Sequence, residues 1–111
     1  MNSIQALQLH FNNKLFVILE KLGKRPVGWD EILEKDLPKH AVIQSWRGPN
    51  GLNMANNLGL HSILSSEYYL DGMKSSAAHY TFPSVSGLVY GGEACAWSEY
   101  IESSMLQMII W

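Results

Sequence analysis

The sequence predicts an α/β fold with a parallel sheet, built like part of a β/α barrel. Apolar runs of strand length alternate with segments of helical spacing, an order that is typical of parallel sheets with right-handed crossovers. In addition, aromatic and acidic residues recur where the strands end, and β/α barrels gather their pockets at this end of the sheet. These places are Trp29 to Glu31, Trp46-Arg47, Tyr69 to Asp71, Glu93, and Trp97 to Glu99.

The length of the chain indicates a partial barrel. The chain has 111 residues, whereas a complete barrel takes roughly 250. It ends inside the apolar segment Met108 to Trp111, although native termini are usually polar and exposed. We therefore expect residues 1–111 to be one barrel segment from a longer protein. We also expect the missing half of the barrel, or self-association, to cover the two open edges of its sheet.

The first predicted elements are a long helix and a short strand. Residues 3–22 carry apolar side chains at mixed three- and four-residue spacing, which predicts a helix. Ser3 is the candidate N-cap, and Gly23 is the candidate residue that ends the helix in the left-handed conformation. Residues 26–29 then predict a short strand, and residues 30–33 predict the turn that leaves it.

The middle of the chain predicts two further strands with a short helix between them. Residues 41–46 form the clearest strand, a compact apolar run bounded by turn signals. Residues 47–51 predict a loop, and residues 51–58 predict a short helix that Gly59 closes. Residues 61–66 predict the third strand.

The last third of the sequence predicts a long irregular segment, a strand and a helix. Residues 72–87 are rich in Ser, Gly and Pro and predict irregular structure. Residues 88–97 carry the fourth strand. A final helix is predicted from about residue 100 to the end.

Composition and charge exclude several classes of function. The formal net charge is −2 and there is no basic run, so we expect no nucleic-acid partner. No apolar stretch is long enough to span a membrane. Cys95 is the single cysteine and the four histidines are scattered, so we expect no disulfide, no metal and no other cofactor. The compartment cannot be read from these features.

Three tryptophans are the strongest candidates for a binding pocket. Trp29, Trp46 and Trp97 each stand at a strand end with a charged group within two residues. Together they can form an apolar box that suits an N-acetyl group or the apolar face of a pyranose ring. The alternative is that they are core residues, since aromatic side chains dominate cores.

Polar residues beside these tryptophans suit a sugar. The Tyr69 hydroxyl can donate a hydrogen bond to a substrate carbonyl oxygen, or it can be a half-buried tyrosine with a solvated hydroxyl. The carboxylates of Asp71 and Glu99 suit hydrogen bonds from sugar hydroxyls. Their alternative role is as charges at helix N-termini, and this is the interpretation favoured for Glu31.

Two residues of the fourth strand have structural interpretations. Glu93 lies inside an apolar strand, where a carboxylate must be paired or hydrogen-bonded, and Arg47 is its candidate partner. Cys95 is most simply a small buried hydrophobe. From the residues alone, the prediction is part of an α/β barrel with an aromatic-rich pocket that bears carboxylates.

The motifs of the chain resemble those of glycoside hydrolase family 20, the β-N-acetylhexosaminidases. Both order and spacing match over nearly the whole chain. The motifs are Gly-Trp-Asp-Glu-Ile (28–32), Ile-Gln-Ser-Trp-Arg-Gly (43–48), Ile-Leu-Ser-Ser (63–66), Tyr-Tyr-Leu-Asp (68–71) and Gly-Gly-Glu-Ala-Cys-Ala-Trp-Ser-Glu-Tyr (91–100). The resemblance implies a TIM (β/α)8 barrel, of which this chain is similar to strands five to eight.

The resemblance also implies an activity and a role for each candidate residue. The family removes terminal β-linked N-acetylglucosamine or N-acetylgalactosamine from oligosaccharides and glycoconjugates, by a retaining mechanism in which the substrate's own 2-acetamido group is the nucleophile. Tyr69 is then a catalytic residue that orients the acetamido oxygen. The substrate-binding residues are Trp29, Trp46, Tyr69, Asp71, Trp97 and Glu99.

The chain departs from the family pattern in one large respect. The family's catalytic Asp-Glu pair follows strand four in a His-x-Gly-Gly-Asp-Glu motif, and this motif does not occur here. Asp30-Glu31 belongs to the strand-five motif instead and is not assigned this role. We therefore expect the chain alone to be inactive. The alternative function is a non-catalytic sugar-binding or assembly module, and a chain that does not fold alone is a third reading. Family members are usually exported or lysosomal.

Overall fold

The computed structural model describes residues 3–72, 74–80 and 87–100. Short 3-10 turns, Asp30–Ile32 and Ser98–Tyr100, follow the first and last strands. The predicted C-terminal helix lies outside the described residues. The helices and strands, in chain order, are α1 (Ser3–Lys21), β1 (Val27–Trp29), β2 (Val42–Ser45), α2 (Pro49–Asn57), β3 (His61–Leu64), α3 (Ser76–Tyr80) and β4 (Val89–Gly92).

The four strands form one parallel sheet in the order β1-β2-β3-β4. Val42 of β2 is paired with Val27 on one side and with His61 on the other. The register between β3 and β4 shifts after Ser62, which is the signature of a bulge. The predicted strands and their parallel arrangement are confirmed, although each strand is shorter than its apolar run.

Helix α1 ends as predicted but attaches through few side chains. Gly23 has φ 64°, and the N–H groups of Gly23 and Lys24 donate to the carbonyl oxygens of Glu20 and Leu19 at 2.9 and 2.8 Å, which satisfies the last turn. Phe16 is the one buried residue of α1. Neither α1 nor any other described helix is both long and apolar enough to cross a membrane.

The core lies on one face of β2, between the sheet and helices α1 and α2. Ile43 is fully buried at the centre of the sheet. Partly buried Ile32, Leu33 and Leu58 surround it. The buried cluster consists of Phe16, Leu37, Ile43, Ala55 and Leu60. Because α2 packs on both β2 and β3, the carboxyl ends of these strands are held at a fixed separation.

Two short helical stretches depart from the sequence prediction. Helix α2 begins at Pro49, inside the segment predicted as a loop, because proline suits the first turn of a helix. Helix α3 lies inside the segment predicted to be irregular. Its first turn is held by Ser75, whose hydroxyl accepts the N–H of Ala78 at 3.3 Å.

A cluster of stacked side chains lies at the amino-terminal ends of β3 and β4, at the edge of the sheet opposite to the carboxyl ends of the strands. The rings of His61 and Tyr90 lie 4.4 Å apart and almost parallel. The guanidinium of Arg25 lies 5.8 Å from the Tyr90 ring centroid and donates to the Tyr90 hydroxyl. This cluster joins the segment before β1 to β3 and β4.

Candidate functional site

A cavity of about 600 Å³ opens at the carboxyl ends of the four strands. Each wall comes from the end of a different strand or from the segment that follows it. The lining residues are Trp29, Glu31, Trp46, Tyr69, Asp71, Gly72, Trp97 and Glu99. All six residues that the sequence identified are among them, so the fold brings together side chains up to seventy positions apart. That they bind a substrate stays a prediction.

The aromatic walls form two pairs. The rings of Trp29 and Trp97 meet edge to face at 5.9 Å, and those of Trp46 and Tyr69 lie 6.3 Å apart with 29° between their planes. Trp46 is 38% exposed and Trp97 is 43% exposed. Core tryptophans are not exposed to this degree, and the geometry therefore favours the pocket over the core interpretation.

Tyr69 is held by backbone pairing beyond the end of the sheet. It forms a parallel bridge with Cys95. The N–H of Leu70 donates to the Cys95 carbonyl at 2.8 Å, and the N–H of Cys95 donates to the Tyr68 carbonyl at 3.1 Å. The segments after β3 and β4 thus continue side by side and carry Tyr69 and Trp97 into the cavity.

The Tyr69 hydroxyl is a firmly protonated group. Burial, followed by the neighbouring Cys95 thiol and the charge of Asp71, raises the pKa of Tyr69 to about 12. Cys95 is half-buried and hydrogen-bonded to Tyr69 and Trp97, and burial raises the pKa of its thiol as well. Cys95 is therefore not the small buried hydrophobe that the sequence indicated, because it is only half-buried and interacts with Tyr69 and Trp97.

The carboxylates of Asp71 and Glu99 lie on the lining of the same cavity. The Oδ1 atom of Asp71 is enclosed and has no hydrogen-bond partner among the described residues. A buried acceptor without a donor is costly, but this oxygen is closed to solvent, so it does not by itself mark a contact for a ligand. No three His, Cys, Asp or Glu side chains within the described ranges are arranged to hold a metal ion.

Asp30 has a structural role between the ends of β1 and β2. It is 8% exposed, and its Oδ2 atom accepts the backbone N–H groups of Trp46 and Arg47, both at 2.9 Å. A Cβ atom at Gly51 would lie 2.2 Å from Asp30 Oδ1, so only glycine lets α2 approach this carboxylate. Asp30 therefore ties the turn after β1 to the end of β2.

Glu31 is a cavity residue that sequence reasoning missed. Its carboxylate oxygens each accept the indole N–H of Trp46 at 3.2 Å, and one of them pairs with the Arg47 guanidinium at 2.5 Å. Burial raises the pKa of the Glu31 carboxyl, but its own backbone N–H, the Trp46 indole and Arg47 outweigh this effect and lower the pKa below its ordinary value. The signal in the sequence was the pair of adjacent acids after a strand-end tryptophan.

Glu93 has a different partner from the one predicted. It accepts hydrogen bonds from the Gln44 amide and from the Ser65 hydroxyl, the latter at 2.9 Å. Arg47 is paired with Glu31 instead, because it follows the end of β2 and lies beside the turn after β1. Glu93 thus links Gln44 of β2 to the residues that directly follow β3 and β4.

Comparison with known families gives one clear match. Residues 1–85 match the profile of the family described as "Glycosyl hydrolase family 20, catalytic domain". A chitobiase of solved structure from Flavobacterium johnsoniae superposes on the chain with a TM-score of 0.79 and 35% sequence identity, covering 99% of this chain and 19% of that one. The predicted fold class, a segment of a (β/α)8 barrel, is confirmed by this similarity.

Curated relatives agree with this match. A β-hexosaminidase of Porphyromonas gingivalis is 37% identical over 79% of this chain and 11% of its own length. The β-hexosaminidase subunit beta of Entamoeba histolytica is 28% identical over 92% of this chain and 23% of its own length. The chain therefore spans less than a quarter of the length of these relatives.

Proposed function

The chain belongs to glycosyl hydrolase family 20, and from this premise we propose that it contributes the sugar-binding half of an exo-β-N-acetylhexosaminidase barrel. Residues 1–111 correspond in this proposal to strands five to eight. The substrates are oligosaccharides or glycoconjugates that end in β-linked N-acetylglucosamine or N-acetylgalactosamine. The reaction is hydrolysis of that terminal linkage with retention of configuration.

The aromatic walls recognise the N-acetyl group. Trp29, Trp46 and Trp97 offer ring faces and edges around a space that suits a flat amide and its methyl group. Contact with such rings stabilises a bound ligand both by burial of apolar area and by stacking. A sugar without the acetyl group leaves this space to water and binds less tightly.

Tyr69 orients the nucleophile. In the proposed reaction the acetamido oxygen forms a bond to the anomeric carbon while the bond to the leaving oxygen breaks, which gives an oxazolinium ion that water then opens. A hydrogen bond from the Tyr69 hydroxyl aims the acetamido oxygen at the carbon and reduces the entropy of the attack. Because the pKa of Tyr69 is about 12, the hydroxyl keeps its proton and stays a donor near neutral pH.

Asp71 and Glu99 bind the hydroxyl groups on the far side of the ring. The position of both carboxylates on the lining of the cavity supports this role. In this proposal both carboxylates also select for a terminal sugar, because a further residue linked at that side of the ring would replace a hydroxyl that they bind. This is the basis for an exo-acting enzyme.

The proton donor for the leaving group is not among the motifs of this sequence. The leaving oxygen needs a proton from a general acid as the glycosidic bond breaks, and the His-x-Gly-Gly-Asp-Glu motif that supplies it in the family does not occur here. We assign the general acid to the other half of the barrel. Among the lining residues, only Asp71, Glu99 and Glu31 are carboxylates, and each already has another role.

The gathering of all six predicted residues in one cavity is the observation that carries the proposal. Its test is a thermal melt of the purified chain with an N-acetylglucosamine-derived thiazoline, which mimics the oxazolinium ion, and with glucosamine. We expect a cooperative transition that the thiazoline raises and glucosamine does not. In Tyr69→Phe, the affinity for the thiazoline should fall about tenfold, while Tyr80→Phe, which changes a residue that is 93% exposed, should bind as the parent does.

A sugar-binding module without catalysis is the second candidate. It is favoured by the aromatic cavity in a chain that lacks the general-acid motif. Thiazoline binding by the chain, combined with an upstream reading frame that lacks an Asp-Glu motif, would establish the module. An upstream frame that encodes the motif would instead assign the chain to the enzyme. Equal affinity for the thiazoline and for glucosamine would overturn both.

A further inference from the structure

Two adjacent acids after β1 hold two adjacent residues after β2. Asp30 accepts both backbone N–H groups of Trp46 and Arg47, and Glu31 accepts from both of their side chains. We propose that Glu31 is a positioning residue that fixes the Trp46 indole as a wall of the cavity, with Arg47 as its second anchor. We call the group formed by Glu31, Trp46 and Arg47 the Glu31 clamp.

The contacts of the Glu31 clamp enclose the indole from two sides. The indole N–H is directed between the two carboxylate oxygens of Glu31, at 3.2 Å from each. The Arg47 guanidinium lies 5.3 Å from the centre of the same ring and is bonded to Glu31 at 2.5 Å. Each member therefore contacts the other two, and none can turn without breaking two interactions.

Packing alone does not fix this tryptophan. Trp46 is 38% exposed, so more than one combination of its staggered χ1 and its broad χ2 torsion would be open to the side chain. Asp30 fixes only the backbone at this point. A polar anchor at the indole N–H removes the remaining freedom, and this orders the ring before a ligand arrives.

The ion pair itself contributes little to folding. The Arg47 and Glu31 side chains are 56% and 34% exposed, and exposed pairs of this kind are worth little to the free energy of unfolding. What the pair does is hold the Glu31 carboxylate toward the indole. Because the Trp46 ring stacks on the Tyr69 ring, the orientation of the indole also affects the position of Tyr69, which we propose to bind the acetamido oxygen.

The test measures the indole directly, without a ligand. The indole N–H signal of Trp46 is assigned in the NMR spectrum as the one that disappears in Trp46→Phe. The rate at which this proton exchanges with solvent is then measured in the full 111-residue chain at one pH. In Glu31→Ala, exchange should speed up about tenfold, since a hydrogen bond to a charged group is lost. Glu31→Gln keeps an acceptor for the indole and should restore most of the protection.

The matched control is Glu67→Ala, which removes an ion pair of the same length outside the cavity. Glu67 pairs with Lys74 at 2.5 Å, and their side chains are 25% and 40% exposed. Glu67→Ala therefore removes one negative charge and one surface ion pair, as Glu31→Ala does. It should leave the Trp46 indole proton as protected as in the parent chain. Indole exchange that is the same in Glu31→Ala as in the parent, or an unprotected indole in the parent, overturns the positioning role.

A second arm measures ligand affinity and rests on the proposed function. The thiazoline should bind Glu31→Ala about tenfold more weakly than the parent chain, and Glu67→Ala equally well. A parent chain that binds, with Glu31→Ala binding just as tightly, overturns the positioning role alone. A third outcome separates the two proposals. If Glu31→Ala speeds exchange of the Trp46 indole proton but the parent chain does not bind the thiazoline, the Glu31 clamp is supported and the proposed function is overturned.

Discussion

At the scale of single residues, the cavity depends on groups that are held in one protonation state. Tyr69 combines partial burial with neighbours that disfavour a negative charge, namely the Cys95 thiol and Asp71. A tyrosine in this setting is a proton donor that does not become a base near neutral pH. The hydroxyl therefore suits the donation of a hydrogen bond to a carbonyl oxygen at neutral and acidic pH.

This setting predicts a titration at high pH. An unfolded tyrosine titrates near pH 10, whereas Tyr69 in the fold has a pKa of about 12. Between these values the unfolded chain releases the proton and the folded chain keeps it, so the stabilisation is complete below pH 10 and is lost as the pH rises toward 12. The ultraviolet difference spectrum between the parent and Tyr69→Phe should show a tyrosinate step near pH 12.

The control for this titration is Tyr80→Phe, which removes an exposed tyrosine and must leave the step near pH 12 in place. A step near pH 10 in the difference spectrum of Tyr69→Phe would mean that Tyr69 is an ordinary solvated tyrosine. In that case the hydroxyl has no special surroundings in the cavity.

The position of a residue at the cavity could be predicted where the backbone alone fixes it. Trp29, Trp46 and Trp97 stand at strand ends, and parallel strands bring such positions to one edge of the sheet. Glu31 and Glu93 were not assigned correctly, because their partners depend on the direction of side chains across the sheet. Sequence spacing carries no information about whether the Arg47 side chain turns toward Glu31 or toward Glu93.

At the scale of elements, helix α1 is attached to the sheet mainly through one side chain. Phe16 reaches the cluster around Ile43, whereas Phe11 of the same helix is 59% exposed. The apolar stripe in the sequence predicts the helix but overstates how much of it is buried within the described residues. The docking of α1 is therefore sensitive to a single position.

The two phenylalanines of α1 give a paired prediction. Phe16→Ala should lower the free energy of unfolding by about 3 kcal/mol, because it removes a buried aromatic ring from the core. Phe11→Ala should change it by less than about 0.5 kcal/mol, as exposed substitutions usually do. Urea denaturation followed by circular dichroism measures both. Equal losses in the two variants would contradict the attachment through Phe16.

Short elements were harder to predict than strands. Strand β2 was the easiest to recognise because it lies in a compact apolar run and is mostly buried, which is the composition of buried parallel strands. Helix α3 has five residues and no apolar period, so its only signal was Ser75 as an N-cap. The start of α2 at Pro49 was a second available signal that the loop interpretation overlooked.

At the scale of the whole molecule, the chain is one segment of a barrel, and the walls of the cavity described here all come from that segment. The described sheet has four strands, and the chain covers 19% of the chitobiase that it resembles. The walls that we propose to orient the acetamido group are present, and the motif that supplies the general acid in the family is not. We therefore expect binding and turnover to be separable in this chain.

We predict that the 111-residue chain does not hydrolyse a chromogenic N-acetylglucosaminide. Loss of a general acid alone typically costs a factor of about 10² to 10⁴ in rate. The assay compares the purified chain with Tyr69→Phe prepared in the same way, so that a contaminating enzyme appears equally in both. Turnover by the parent that disappears in Tyr69→Phe would contradict the prediction and would place a general acid within this sequence.

The strand order described above also has a consequence for how the chain folds. Within the described sheet, each strand pairs with the one that follows it along the chain. Such pairings close shorter loops than pairings between strands far apart in the sequence, and they therefore cost less conformational entropy. During synthesis on the ribosome, β1 and β2 can associate before β4 has been translated. The cavity would then be assembled wall by wall from the amino-terminal side, with Trp29 and Trp46 in place before Tyr69 and Trp97 arrive.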